Sequence, residues 1–138
     1  MRIGIYRGDA SNGPIEKLIG AARDAADARF ASFRLPQTMG MDAMTALAIV
    51  GREVPGIELG IAVVPTFPRH PIVMAQQALT TQALTGGRLT LGIGLSHQPI
   101  IEQSYGYSFE KPVRHMREYL DALLPLVRED RLHSPVRP

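Results

Sequence analysis

Four short apolar runs rich in β-branched residues, each followed by a stretch of helical periodicity, constrain this chain more than any other feature. They occupy residues 2–6, 30–35, 57–64 and 89–93. Their starts stand about thirty residues apart, the length of a unit in which a crossover helix returns the chain to a parallel strand. Ile61-Ala62-Val63-Val64 and the run at 89–93 show little polar alternation. That pattern belongs to strands covered on both faces, as in parallel sheets flanked by helices.

The intervening segments carry helix punctuation. Asn12-Gly13-Pro14 offers a cap and a first-turn proline ahead of the stripe Ile15, Leu18, Ile19, Ala22 and Ala26. Asp42 is placed to cap a second helix that buries Met44, Leu47 and Ala48. His70-Pro71 opens a third, and Gly86-Gly87 ends it where positive φ is needed. A fourth starts near Pro112, with Val113, Met116, Leu120, Leu123 and Leu124 on one face. Pro125 has no N–H and should kink or end it.

Unbroken strand–helix alternation means an α/β fold with a parallel sheet. The first βα turn, Tyr6 to Gly13, lacks the GxGxxG phosphate fingerprint, which weakens a dinucleotide-binding open sheet. Gly92-Ile93-Gly94-Leu95-Ser96 is glycine-rich but lacks the third glycine. A complete (βα)₈ barrel needs about 250 residues. Four strands and four helices in 138 residues therefore make half of a TIM barrel, expected over 1–127 with a polar tail at 128–138.

Composition excludes several function classes. The net charge is only +2 and the cationic residues are dispersed, with no basic block or aromatic–basic interleaving. Nucleic acid and acidic membranes are therefore not expected partners. The chain has no cysteine, so disulfides, thiolate metal sites and a Cys nucleophile are out. No His/Asp/Glu spacing argues for a metal. No apolar segment approaches the ~18 residues of a membrane span, and a cytoplasmic location is expected.

Five segments stand in order that resemble one known family. They are Phe33-Arg34-Leu35-Pro36-Gln37, the stretch Gly51 to Gly60, Pro65-Thr66-Phe67-Pro68-Arg69-His70-Pro71, the stretch Gly86 to Gly94, and Pro112 to Leu120. Together they resemble the luciferase-like monooxygenase superfamily, most closely its branch of oxidoreductases dependent on the deazaflavin coenzyme F420. The resemblance implies the N-terminal half of the barrel. It also implies hydride transfer between F420 and an unknown organic substrate, with FMN-dependent monooxygenation as the alternative within the fold. A non-catalytic remnant that binds flavin or a partner is the alternative outside enzymes. In all cofactor enzymes of this kind the protein supplies position and electrostatics.

The resemblance also points to residues at the C-terminal ends of the strands, where barrel enzymes keep their chemistry. Gln37 stands where some relatives carry an Asp-His pair. It can hydrogen-bond a ring but cannot act as a base, and it serves equally as part of a strand-terminating turn. Ala62, Val63 and Val64 match a bulge that backs the cofactor ring, often through a non-prolyl cis peptide after the third strand; plain buried strand is the alternative. Thr66 offers a hydroxyl to the cofactor or caps a turn. Gly94, Leu95 and Ser96 would let the backbone approach a flat ring. His97 sits near an acidic proton donor of some relatives and is the candidate catalytic group, with a solvated capping role as the alternative. His70 reads as a helix-opening residue, His115 as surface or interface, and His133 as solvent-exposed. Glu102, Glu110, Glu118 and Asp121 read as helix surface.

Relatives are about twice this long, so the chain is expected to be truncated. Half a barrel exposes two strand edges and an apolar interior, which implies a homodimer or larger assembly and weakened cofactor affinity.

Overall fold

The computed structural model describes residues 1–128. The expectations for the tail beyond Arg128, His133 included, lie outside the described residues. Among the described residues the order is β1 (Gly4–Tyr6), α1 (Ile15–Asp27), β2 (Ser32–Leu35), α2 (Ala43–Glu53), β3 (Glu58–Pro65), α3 (Pro71–Leu84), β4 (Leu89–Gly94) and α4 (Pro112–Arg128). A 3₁₀ turn (Asp9–Ser11) and a π-helical turn (Ile100–Ser104) interrupt the loops after β1 and β4. Each expected strand and helix is present, with ends shifted by one or two residues. By contact, the chain forms two compact units: Met1–Val64 with Thr80–Ile93, and Pro65–Leu79 with the described residues from Gly94 onward.

The first unit holds the sheet, ordered β1-β2-β3-β4. β1 and β2 are parallel with Ile5 beside Phe33, and β2 and β3 are parallel with Phe33 beside Leu59. The N–H of Leu59 donates to Arg88 O at 2.9 Å where β4 begins. Period-two alternation sends Phe33, Leu35, Leu59 and Ile61 to one face, where all are buried. Leu18 of α1 and Met44, Leu47 and Val50 of α2 are also fully buried in this core. Burying each such side chain is worth about 1.5–3 kcal/mol.

The other face departs from expectation. Gly4, Tyr6, Arg34 and Glu58 lie along it and are exposed, so these strands are covered on one face only among the described residues. Nor is this face the apolar surface anticipated for a barrel interior. Arg2 pairs with Glu58 at 2.7 Å, and the Arg34 side chain lies over Gly60, where an added Cβ would meet its Cγ at 3.2 Å. The absence of a side chain at Gly60 makes room for Arg34, and that at Gly4 makes room for Ser32 on the neighbouring strand.

The helix ends follow local chemistry, with one correction. Asp42 caps α2, its carboxylate accepting from Thr45 N at 2.9 Å. Gly86 and Gly87 end α3 at φ 62° and 81°. At α1, however, Pro14 itself occupies the cap position in extended conformation, and Asn12 gives no side-chain cap. Proline fixes φ near −65° and leaves ψ free, which suits a cap as well as a first turn. Pro125 lies inside α4, which continues to Arg128 rather than stopping. One missing backbone hydrogen bond is tolerated there because the buried Tyr119 and Leu123 hold the helix by packing.

Candidate functional site

The residues singled out at the strand ends divide between the two units. In the first unit, Gln37 follows β2 and is half-buried. Its amide is engaged locally: Nε2 donates to Thr38 O at 3.1 Å, and Oε1 accepts from Ala43 N at 2.9 Å. Gln37 thereby ties the end of the loop to the first turn of α2, satisfying the orphan N–H of Ala43 while Asp42 takes that of Thr45.

Ala62, Val63 and Val64 lie within β3. The Ala62–Val63 peptide bond is cis, within the stretch singled out for it near the end of the strand. Val64 is fully buried, Ala62 half-buried, and Val63 is 40% exposed. Next to them on β4, a Cβ on Gly92 would collide with Ile61 O and meet Val63 Cγ1 at 3.3 Å. Only glycine allows β4 to run this close to the β3 backbone.

In the second unit, Thr66 and the residues after β4 come together. The Thr66 N–H donates to Gly94 O at 2.9 Å, joining the ends of β3 and β4. Gly94, Leu95 and Ser96 are half-buried, and Ser96 has φ 64°. A left-handed conformation at a residue other than glycine is uncommon and turns the chain sharply. His97 follows, exposed, with its carbonyl accepting from Ile100 N and Ile101 N, both at 3.0 Å, where the π-helical turn starts.

The environment of Thr66 was not legible in the sequence. Thr66 is 1% exposed, and its Oγ1 lies 2.9 Å from Nε2 of His115 on α4. His115 is therefore half-buried and engaged within the protein rather than free on the surface. Its ring stacks on Phe67 with centroids 3.9 Å apart and planes 8° apart, and Phe67 in turn stacks on Phe109 at 5.1 Å. Burial pushes the imidazole below its ordinary range, with the Glu118 carboxylate opposing in part. One helical turn on, Tyr119 tilts against His115 at 5.7 Å. Its hydroxyl is buried with no hydrogen-bond partner among the described residues. Burial pushes its phenol up to about 12, with the Arg69 charge opposing.

Thr66, Phe67, His115 and Tyr119 line a cavity of about 550 Å³ together with Arg69, Val73 and Tyr107. His70 also borders it and opens α3 as expected, its Nδ1 accepting from Ile72 N at 3.2 Å. Of the stripe expected on α4, Leu123 is buried and Met116, Leu120 and Leu124 are half-buried, but Val113 is exposed and Tyr119 was not included. Val113 is 71% exposed, whereas Tyr119 and Leu123 are the buried residues, with His115 one turn earlier. The i, i+4, i+8 spacing of His115, Tyr119 and Leu123 was the available signal, but a histidine and a tyrosine do not score as an apolar stripe. Of the carboxylates, Glu118 pairs with Arg114 at 2.7 Å on the exposed side of α4.

Comparison with known proteins gives the arrangement its family. The luciferase-like monooxygenase family matches residues 2–134. A Mycobacterium tuberculosis protein that carries the name of a coenzyme F420-dependent oxidoreductase is 35% identical over 121 residues, 88% of this chain and 35% of that protein. The fold matches a coenzyme F420-dependent tetrahydromethanopterin reductase from Methanopyrus kandleri with a TM-score of 0.76 at 17% identity, over 91% of this chain and 40% of that one. It matches equally, at 0.76 and 16% identity, the oxygenating constituent of 3,6-diketocamphane monooxygenase from Pseudomonas putida in complex with FMN, over 89% of this chain and 38% of that one. The chain thus spans little more than a third of the length of these relatives. Its four parallel βα units correspond to a part of their barrels, and the chain belongs to the luciferase-like monooxygenase family.

Proposed function

We propose that this chain carries the first strand ends of a deazaflavin-dependent oxidoreductase, in which a hydride passes between coenzyme F420 and an organic substrate. The observation that carries this reading is the 35% identity to the F420-named relative over 88% of the chain, which includes every strand end discussed above. A bound deazaflavin supplies a ring carbon that gives or takes a hydride; the protein's task is to place that ring.

The residues present fit such a group unequally. Val63 offers exposed apolar surface on the strand end, and Ser96 and His97 offer polar groups in a sharply turned segment. His97 is the proposed proton-handling residue, since its exposed imidazole carries both a donor and an acceptor nitrogen. Gln37 and Thr66 have their side-chain groups engaged within the protein, so the part of each in this reading is to hold its own loop in place. Self-association belongs to the same reading, because β1 and β4 are the sheet edges among the described residues and edges recruit partners.

An FMN-dependent reaction is the second reading, favoured by the FMN-containing structure among those of the same fold. Titration of the 138-residue protein with F420 and with FMN, followed by cofactor fluorescence alongside size-exclusion chromatography, separates the readings. Saturable binding of F420 with weaker FMN binding is expected, from a dimer or larger species. Preference for FMN would replace the first reading by the second. Binding of neither would leave a non-catalytic member of the family.

A further inference from the structure

We infer that His115 is a positioning residue that holds the ends of β3 and β4 together through Thr66, and so sets the segment Gly94-Leu95-Ser96. The inference rests on the proposed cofactor reading only for its functional consequence; the geometry is independent of it.

Thr66 is the pivot. Its backbone N–H bonds Gly94 O at 2.9 Å, and its hydroxyl meets His115 Nε2 at the same distance. At 1% exposure the hydroxyl has no access to water, so without His115 it would be a buried polar group lacking that partner. His115 is itself held by two aromatic rings. Phe67 lies parallel against its ring, and Tyr119 of the same helix packs from the next turn. A ring clamped in this way selects one rotamer for the threonine, and the threonine backbone then keeps β4's last carbonyl in place. The turn that follows depends on that carbonyl. Gly94 leads directly to Ser96 in its left-handed conformation and to His97, whose carbonyl starts the π-helical turn. A shift at Thr66 therefore reaches every residue proposed to face the ring after β4.

Phe67 stacking and the hydrogen bond are separable by mutation. His115→Phe keeps an aromatic ring against Phe67 and removes the ring nitrogen. Thr66→Val keeps the shape and removes the hydroxyl. His115→Gln restores a polar group of similar reach. Hydrogen exchange read by mass spectrometry, on the whole chain without cofactor, follows the peptides that contain 65–67 and 94–97 against a β2 peptide.

Exchange about fivefold faster at 65–67 and 94–97 is expected in His115→Phe and in Thr66→Val, from the ~1 kcal/mol of one hydrogen bond. The double variant should be no faster than either single one, His115→Gln should recover part of the loss, and β2 should not change. Affinity for F420 or FMN, whichever the wild type binds, should fall by a similar factor. Unchanged exchange at 94–97 overturns the inference. So does faster exchange with undiminished affinity in a wild type that binds, because the contact would then be structural only. If the wild type binds neither cofactor, the cofactor reading fails, and the exchange pattern alone decides whether His115 holds the strand ends.

Discussion

The guanidinium of Arg88 donates to the carbonyl of Gly51 at 2.5 Å, across 37 residues of sequence. The same side chain also reaches Val54 O at 3.0 Å, Ile57 O at 2.9 Å and Thr85 O at 2.8 Å. One planar fork thus satisfies the carbonyls at the end of α2, the start of β3 and the end of α3. Arg88→Ala should destabilise the protein by about 3 kcal/mol, since several carbonyls lose a charged donor together. Arg88→Lys should recover little, because an ammonium cannot span these acceptors. Urea unfolding followed by circular dichroism measures both; a loss below about 1 kcal/mol for the alanine variant would contradict the assignment.

Two helical glycines should respond to alanine in opposite directions. At Gly51 of α2 a Cβ would stand 2.5 Å from Thr85 Cγ2 and 3.1 Å from Leu59 Cδ1. Thr85 cannot yield, being buried with its hydroxyl bonded to Thr81 O at 2.8 Å. Gly51→Ala should cost about 1–3 kcal/mol despite the better helix propensity. At Gly20 of α1 nothing lies within 4 Å of the added atom. Gly20→Ala should stabilise by about 0.5–1 kcal/mol. Equal effects from the two substitutions in thermal melts would refute this contrast.

Asp42 holds both the N–H and the hydroxyl of Thr45, at 2.9 Å and 2.7 Å. Asp42→Ala should cost about 1 kcal/mol and Asp42→Asn much less, because asparagine also caps. Calorimetry in which the two variants melt alike would show that the cap is not what Asp42 contributes.

Stability should fall on the acid side through His115. Burial holds its imidazole below the ordinary range, so the folded state takes up the proton less readily than the unfolded chain. The contribution is complete above the unfolded value near 6.5 and is lost as pH falls from there through the lowered folded value. Glu118 on its own helix opposes the shift in part. In His115→Phe this part of the pH dependence should flatten. A profile between pH 7 and 5 that is identical to the wild type's would assign the titration elsewhere.

Much of this fold was written in local sequence. The β-branched runs, the cap at Asp42, the proline opening α3 and the paired glycines closing it act over a few residues, and period-two and period-3.6 patterns average over many. The thirty-residue spacing specified parallel strands joined by crossover helices, and the order β1-β2-β3-β4 agrees with the half-barrel reading rather than an open doubly wound sheet. The proposed site was legible only as positions at strand ends, through its family resemblance.

What only the tertiary structure decided were the pairings across distance and the faces that result. That Gln37 ties down α2, that Arg34 and Glu58 stand on the open side of the sheet, and that His115 meets Thr66 depend on which backbone atoms converge once four units pack. A histidine between an arginine and a methionine reads as surface or interface because the sequence holds no record of Phe67, 48 residues earlier, lying flat against it. Periodicity specifies how a segment is curled, not what stands opposite. Polar partners at such separation leave no periodic trace, and their contact exists only in the packed chain.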